Sequence, residues 1–302
     1  MRCLVTGHRG LLGSACVRVL QKKHEVVTTP IDLFHATLFH DWLEHADVDV
    51  IVHCAARVGG VKANRDYPVD FLRDNLAIND TVIGAAAACG VKKLVNIGTS
   101  CLYPREAQIP VREDSLMTGP FEHEVEAYAT AKLAAYQLCK AYRSQYGKNF
   151  VTVCPCNLYG IGDKYGTTAH VIPSLIKRFD EAKRFGSPVR VWGNGNAVRE
   201  FMFADDTAHA IELVIEKYNS PELINIGTGQ STTIRELVDA IGDAMNFHPE
   251  IVWEGHEPIG IPQKTFDVSK LRYLGWDWVT SLEHGLKLTI ADYLGHPDAR
   301  RQ

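Results

Sequence analysis

The amino-acid sequence predicts an α/β fold: a doubly wound parallel sheet with a smaller C-terminal α/β domain. Three observations predict it. Short apolar runs alternate with amphipathic stretches of helical period through the first half of the chain, which implies a parallel sheet covered on both faces. A glycine-rich turn stands between the first apolar run and the first helical stretch. After Asn157 the alternation loosens, and glycine and proline become common, as in Tyr159-Gly160-Ile161-Gly162 and Gly255–Pro262.

The elements follow in order. Arg2–Thr6 reads as a strand and Leu11–Lys22 as a helix. Glu25–Thr29 is a second strand and Val48–His53 a third. Phe71–Cys89 has helical period, with Gly90 at the expected stop position. Leu94–Ile97 is a fourth strand, Glu124–Tyr146 a long helix and Phe150–Cys154 a fifth strand. Helices are expected over Val171–Arg184, Ala204–Glu216, Thr233–Ala244 and Ser281–Tyr293. Residues 1–160 with about 196–227 would form the dinucleotide-binding domain. Residues about 161–195 with 228–302 would form a substrate domain over the sheet's carboxyl edge, where open parallel sheets bind ligands.

Composition narrows the function classes. The chain has 302 residues, 46% hydrophobic and 23% charged, enough for a sizeable core. A net charge of -4 argues against a general nucleic-acid surface. No segment approaches the roughly 18 apolar residues of a membrane span, and the first residues open directly as a strand, so neither a membrane partner nor a leader peptide is expected. The eight cysteines, Cys3, Cys16, Cys54, Cys89, Cys101, Cys139, Cys154 and Cys156, are spaced like neither a zinc cluster nor a disulfide framework. Reduced thiols in the cytoplasm, and no metal, are the expectation.

The turn Gly7-His8-Arg9-Gly10-Leu11-Leu12-Gly13 follows a strand and opens a helix. Its glycines permit a tight turn and close approach to a pyrophosphate, and the helix N-terminus adds N–H groups and a favourable dipole. An acid at the end of the second strand would bind the ribose hydroxyls of NAD. This chain has Val27-Thr28-Thr29-Pro30 there, with no carboxylate before Asp32, while Arg9 could face a 2′-phosphate. Both points favour NADP(H), the alternative being that Arg9 is merely solvated.

Tyr128 and Lys132 lie four apart in the long helix, on one face, and can point at one reactive atom. A neighbouring ammonium, with the cofactor's positive ring, is expected to lower the phenol's pKa from about 10. The fourth strand ends in Asn96-Ile97-Gly98-Thr99-Ser100-Cys101, placing hydroxyls and a thiol at the same sheet edge. There Thr99 could hydrogen-bond a carbonyl oxygen that Tyr128 protonates.

Glycine turn, hydroxyl at the fourth strand, Tyr-x-x-x-Lys and Asn157 after the fifth strand together resemble the extended short-chain dehydrogenase/reductase family, from Met1 to about Leu288. The strings Gly7-His8-Arg9-Gly10, Ala56-Arg57-Val58-Gly59-Gly60-Val61, Ser100-Cys101-Leu102-Tyr103-Pro104, Asn157-Leu158-Tyr159-Gly160, His170-Val171-Ile172-Pro173 and Arg199-Glu200-Phe201 resemble more narrowly its GDP-4-keto-6-deoxy-D-mannose epimerase/reductase branch. The resemblance implies a Rossmann-type fold, NADP(H) and a homodimer paired through the helix after Val69 and the Tyr128-bearing helix. Cys101 would remove protons beside the sugar ketone and His170 return them on the other face. Tyr128, Lys132 and Thr99 would serve the C4 reduction that yields GDP-L-fucose. Gly98, Pro155, Cys156, Asn157, Leu158, Lys132 and His170 would join the glycine turn around the cofactor. Arg178, Trp192 and Arg199 would hold the GDP-sugar, with Asp267 near it.

Three departures stand out against the family. Thr99 replaces the usual serine and keeps the hydroxyl. A basic residue near Thr28–Pro30 is missing. The loop between Gly160 and His170 is a few residues shorter. The last departure keeps open a related GDP-4-keto sugar, dideoxy or heptose, as substrate. A non-catalytic dinucleotide-binding sensor is the third reading, and Tyr128, Lys132, Thr99, Cys101 and His170 argue against it.

Overall fold

The computed structural model describes residues 1–166, 169–255, 261–277 and 280–295. Thr167 and Thr168 of the shortened loop, and residues 256–260 of the stretch rich in glycine and proline, therefore lie outside the described residues. The first half runs β1 (Arg2–Thr6), α1 (Leu11–Leu20), β2 (Glu25–Val27), α2 (Ala36–His45), β3 (Val50–His53), α3 (Val61–Asp66), α4 (Pro68–Ala88), β4 (Lys93–Ile97), α5 (Glu126–Tyr146) and β5 (Phe150–Pro155). Then come β6 (Asn157–Tyr159), α6 (Val171–Phe185), β7 (Val189–Trp192), β8 (Val198–Arg199), β9 (Phe201–Phe203) and α7 (Ala204–Lys217). The chain continues with β10 (Ile224–Ile226), β11 (Thr232–Thr233), α8 (Ile234–Met245), β12 (Ile251–Glu254), α9 (Ser269–Tyr273) and α10 (Leu282–Gly295).

Six strands form a parallel sheet in the order β10-β5-β4-β3-β1-β2. The chain winds outward in both directions from β1, so the crevice of the doubly wound sheet opens between β1 and β3, at their carboxyl ends. Every residue of β3, β4 and β5 is buried, the physical reason their sequences read as continuous apolar runs rather than alternating ones. Among the described residues the buried apolar side chains gather in three clusters. One joins the sheet to α1 and α7 through Val19, Val95, Val153, Ile211 and Val214. A second joins its other face to α2, α4 and α5 through Phe39, Ile51, Val82, Leu94 and Ala135. The third is built by α6, α8, α10, β7 and β9 around Ile176, Phe179, Leu237, Phe203 and Tyr293.

Local chemistry sets the element ends. Thr233 and Glu236 form a reciprocal capping box at the start of α8, with N–H···O distances of 3.1 and 2.7 Å. Gly147 (φ 67°) and Gly186 (φ 68°) end α5 and α6 in the left-handed conformation that glycine adopts without strain.

Where structure and sequence expectation differ, the causes are local. β2 stops at Val27 instead of Thr29, because Thr29 Oγ1 accepts from Ile31 N (3.0 Å) and turns the chain. α4 starts at Pro68, which needs no N–H partner at a first helical position. α2 was not expected, since it buries only Phe39 and Leu43, too short a pattern to register. Strands β6 to β9, β11 and β12 have two to four residues each and form through long-range pairs: β6 with β9, β7 with β12, and β8 with β11. Among the described residues no helix is long and apolar enough to cross a membrane.

Candidate active site

The glycine turn sits in the crevice between β1 and β3. Gly7 takes φ 67°, and a Cβ there would stand 2.7 Å from Ala55 N, just beyond β3. A Cβ on Gly13 would stand 2.1 Å from Gly7 O, so α1 reaches the turn only because position 13 has no side chain. Gly10 N donates to Gly7 O at 2.9 Å, and Gly10 caps α1 without a side chain, leaving the first turn's N–H groups to face an anion. Leu11 and Leu12 pack on the sheet's core, while His8 is half-buried. Arg9 is exposed and has no hydrogen bond or ion pair to another described residue. Asp32, the first acid after β2, accepts from Phe34 N (3.1 Å) in its own turn.

The candidate reactive groups gather where β4 ends. Gly98 N donates to Val153 O at 2.7 Å, an approach that a Cβ, 3.0 Å from the same oxygen, would crowd. Thr99 Oγ1 accepts from Cys101 N (3.3 Å) and starts a single helical turn, Ser100–Leu102, that presents the half-buried Cys101. The Thr99 hydroxyl and Cys101 both lie close enough to the Tyr128 phenol to act on its charge. Tyr128 packs edge-on against Phe71, ring centres 6.1 Å apart. One turn along α5, Lys132 is 2% exposed and donates from Nζ to Ile97 O at 2.8 Å.

Electrostatics here differ from the sequence expectation. Burial is the largest influence on Tyr128 and pushes its pKa up, and Cys101 adds to this; the nearby Thr99 hydroxyl opposes it only in part. Burial also pushes Lys132 down, to about 8. The lowered phenol pKa expected from Lys132 thus does not arise from the chain's own side chains: desolvation dominates, and Lys132 is not among the groups that act on the phenol.

Beneath this cluster runs a buried polar chain that the sequence did not reveal as such. Thr6 Oγ1 meets His53 Nδ1 at 2.9 Å, His53 Nε2 meets Asn79 Oδ1 at 3.1 Å, and Asn79 Nδ2 donates to Ala131 O at 3.3 Å. It ties β1, β3 and α4 to the residue before Lys132. Burial, with the nearby Lys132 charge, lowers His53 to about 3. Its signal was a histidine closing a wholly apolar strand.

The end of β5 forms the next wall. Pro155 pairs with Ile226, Cys156 N donates to Ile226 O (2.9 Å), and Asn157 Nδ2 donates to Glu200 O (2.9 Å), while Leu158 packs on the core. His170 stands at the N-cap of α6, yet its ring makes no capping bond. The ring is exposed at the rim, and the protein mass around it still lowers its pKa through desolvation.

Arg178 on α6 lies over the Trp192 ring at 5.6 Å and donates to Arg190 O at 2.5 Å. With Glu181, Arg190 and Glu254 they line a concavity of about 330 Å³. Arg190 is paired there with Glu254 at 3.1 Å, and the Arg178 guanidinium stacked on the aromatic face suits a phosphate beside a flat base. Arg199 is half-buried on β8, donates to Val198 O (2.8 Å) and feels the Glu122 carboxylate just before α5. Asp267 has a local role: it accepts from Ser269 N (2.8 Å), which holds its carboxyl below the usual range, and faces Arg112 at 3.9 Å. Neither contact is with Arg178, Trp192 or Arg199.

Glu200 also escaped the sequence reading as a functional residue, although it adjoins Arg199. It is 1% exposed, and accepts from Thr228 N (2.6 Å), Gly229 N (2.7 Å) and Phe266 N (2.7 Å). A Cβ on Gly227 would stand 2.2 Å from its Oε1. Glu200 thereby locks the loops after β10 and before α9 to β8 and β9.

Comparison with known proteins accords with this geometry. The chain is 41% identical over 304 residues to GDP-L-fucose synthase 1 of Arabidopsis thaliana, across 97% of this chain and 93% of that one. It is 39% identical over 316 residues to the GDP-L-fucose synthase of Escherichia coli (strain K12), across 99% and 98% of the two chains. A GDP-L-fucose synthetase from Naegleria fowleri, solved bound to NADP, matches with a TM-score of 0.90 at 26% identity, over 100% of this chain and 96% of that one. Residues 3–227 match the NAD dependent epimerase/dehydratase family. That span takes in the glycine turn and every group gathered at the end of β4, and the chain belongs to this family, that of the extended short-chain dehydrogenase/reductases.

Proposed function

We propose that the protein is an NADPH-dependent epimerase/reductase that converts GDP-4-keto-6-deoxy-D-mannose to GDP-L-fucose, by epimerisation at C3 and C5 and then reduction at C4. The observation that carries this reading is the meeting of Thr99, Cys101 and Tyr128 at one sheet edge, above the buried Lys132. The relatives' names extend it to a GDP-linked sugar.

NADP(H) fits the crevice. Gly7, Gly10 and Gly13 would let the backbone approach the pyrophosphate, the N-terminus of α1 would face its charge, and Arg9, exposed and unpaired, would meet the 2′-phosphate. His8, Leu11 and Leu12 complete that turn, and Gly98, Lys132, His170 and the segment Pro155–Leu158 would hold the nicotinamide end. When bound, the reduced nicotinamide supplies hydride to C4.

The chain's own residues handle the protons. Cys101 removes the proton at C3 or C5, and the phenol of Tyr128 and hydroxyl of Thr99 hydrogen-bond the ketone oxygen as it gains negative charge. His170 returns a proton to the same carbon from the opposite face, inverting it. Tyr128, kept protonated by burial, then gives its proton to the C4 oxygen. Lys132, anchored on Ile97 O, holds the face of α5 that presents Tyr128. Arg178, Trp192 and Arg199 would hold the GDP moiety, with Asp267 near it. The unit of residues 1–160 with about 196–227 binds the cofactor, and that of about 161–195 with 228–302 binds the sugar nucleotide.

A homodimer completes the proposal. Val82, Ile83, Ala86, Ala131, Ala135 and Tyr136 are consumed within the chain, but Leu76, Ala88, Ala134, Ala141 and Tyr146 of α4 and α5 remain exposed. A concavity of about 560 Å³ runs between the two helices, lined by Ala87, Ala88, Leu138, Tyr142 and Tyr146. One such self-complementary patch suffices for a two-fold pair. Eight free cysteines suit a reducing cytoplasm.

The test is incubation with GDP-4-keto-6-deoxy-D-mannose and NADPH, with the product identified by NMR. GDP-L-fucose is expected; NADPH turnover only with a dideoxy or heptose analogue, or no turnover at all, overturns the assignment.

A further inference from the structure

At the amino edge of the sheet, far along the strands from the glycine turn, three donor groups converge. His24 immediately precedes β2, and Glu212 and Glu216 lie one turn apart on α7. One ligand atom from each lies within 4.8 Å of the others. Two of these atoms have no partner: His24 Nε2 and Glu212 Oε1 are buried without a hydrogen bond, facing each other at 3.7 Å. Both side chains are more than nine-tenths buried, 9% and 8% exposed.

The second carboxylate oxygen of Glu212 is served differently. Lys23 Nζ donates to Oε2 at 3.0 Å, and His209 Nδ1 stands 3.9 Å from the same atom. These groups orient the carboxylate and leave Oε1 aimed at His24. A separation of 3.7 Å is too long for one shared proton. It is close to the spacing of two ligands on one zinc ion, since bonds of about 2.0–2.2 Å set tetrahedral ligand atoms about 3.3–3.5 Å apart. Glu216 is exposed and free to turn its carboxylate inward as the third ligand. One imidazole with two carboxylates is a donor set that suits Zn²⁺, with water completing the shell.

We propose that His24, Glu212 and Glu216 form a Zn²⁺ site that clasps the end of α1 to α7, apart from the reactive edge. Zinc would pair both orphaned atoms and draw together two helices that pack along their lengths. The Lys23 cation lowers affinity for a dication, so binding in the micromolar range rather than tighter is expected.

The experiment titrates Zn²⁺ alone into chelator-treated protein, by calorimetry and by metal analysis after dialysis. One ion per chain is expected, with a rise in Tm. Glu216→Ala, at an exposed position, and His24→Ala should each weaken binding at least tenfold and abolish the Tm rise. Co²⁺ in place of Zn²⁺ should show no thiolate-to-metal charge transfer. Unchanged binding in both variants, a thiolate band that puts the ion on a cysteine, or no binding at all overturns the site.

Discussion

The ammonium of Lys132 sits 2.8 Å from the carbonyl oxygen of Ile97, a residue 35 positions earlier, and so fastens the middle of α5 to the last residue of β4. Tyr128, one turn before Lys132, is thereby held against Thr99, two residues beyond Ile97. The bond fixes geometry rather than lowering the phenol's pKa, and the predictions for the reaction follow from that arrangement.

Tyr128→Phe removes the proton donor and keeps the ring that packs on Phe71. We expect the C4 reduction rate to fall by about 10²–10⁴-fold, the usual worth of a positioned acid. NADPH affinity and thermal midpoint should stay near wild type. Stopped-flow NADPH oxidation and a titration of binding measure both; near-full reduction would remove Tyr128 from its role.

Cys101→Ser replaces a thiol that can ionise with a hydroxyl that does so far less readily. Proton exchange at C3 and C5 should be lost, while direct reduction of the unepimerised ketone survives. NMR in heavy water reads deuterium at those carbons. Exchange at the wild-type rate in the variant sinks this assignment.

Arg9 is exposed and unpaired, and the end of the second strand carries no acid. NADPH should be preferred over NADH, but modestly, since no second basic residue stands at Thr28–Pro30. In Arg9→Ala, kcat/KM for NADPH should drop about tenfold, one exposed charge-assisted contact, with NADH little changed. An equal loss with both cofactors would mean that the guanidinium does not read the 2′-phosphate.

His53 is buried and neutral, its value lowered from 6.5 to about 3. Between those values the unfolded chain binds a proton that the native state does not, so stability is lost as pH falls through this window. The slope from this one group is about 1.4 kcal/mol per pH unit. His53→Gln keeps hydrogen-bonding atoms without the titration, so it should lose about 2–3 kcal/mol less than wild type between pH 7 and 4.5. Urea midpoints at the two values decide it; parallel losses would clear His53 of the effect.

The exposed face of α4 and α5 should pair two chains. Sedimentation at micromolar concentration is expected to give a dimer, and Ala134→Glu with Ala141→Glu, both at exposed positions, a monomer of reduced activity. A wild-type monomer with full activity would rule out the pairing.

Much of this was legible in the linear chain because its signals are local. Strand Arg2–Thr6, the turn Gly7–Gly13 and helix Leu11–Leu20 are contiguous, so a glycine turn between strand and helix is written in nineteen consecutive residues. Tyr128 and Lys132 share a helical face by spacing alone, and buried strands such as Val50–His53 show themselves by apolar content. The strand order, the pairing of β7 with β12 and the chain from Thr6 through His53 and Asn79 to Ala131 join residues far apart in sequence and leave no periodic trace. The same holds for Glu200, whose three N–H partners come from residues 228, 229 and 266. Sequence by itself thus determined the main strands and helices of the first half, the glycine turn between β1 and α1, and the shared helical face of Tyr128 and Lys132, since backbone propensity and helical spacing act within a few residues. Only the tertiary structure decided their electrostatics and their anchors: burial, which raises the Tyr128 phenol and lowers Lys132, depends on how many distant atoms displace water from each group.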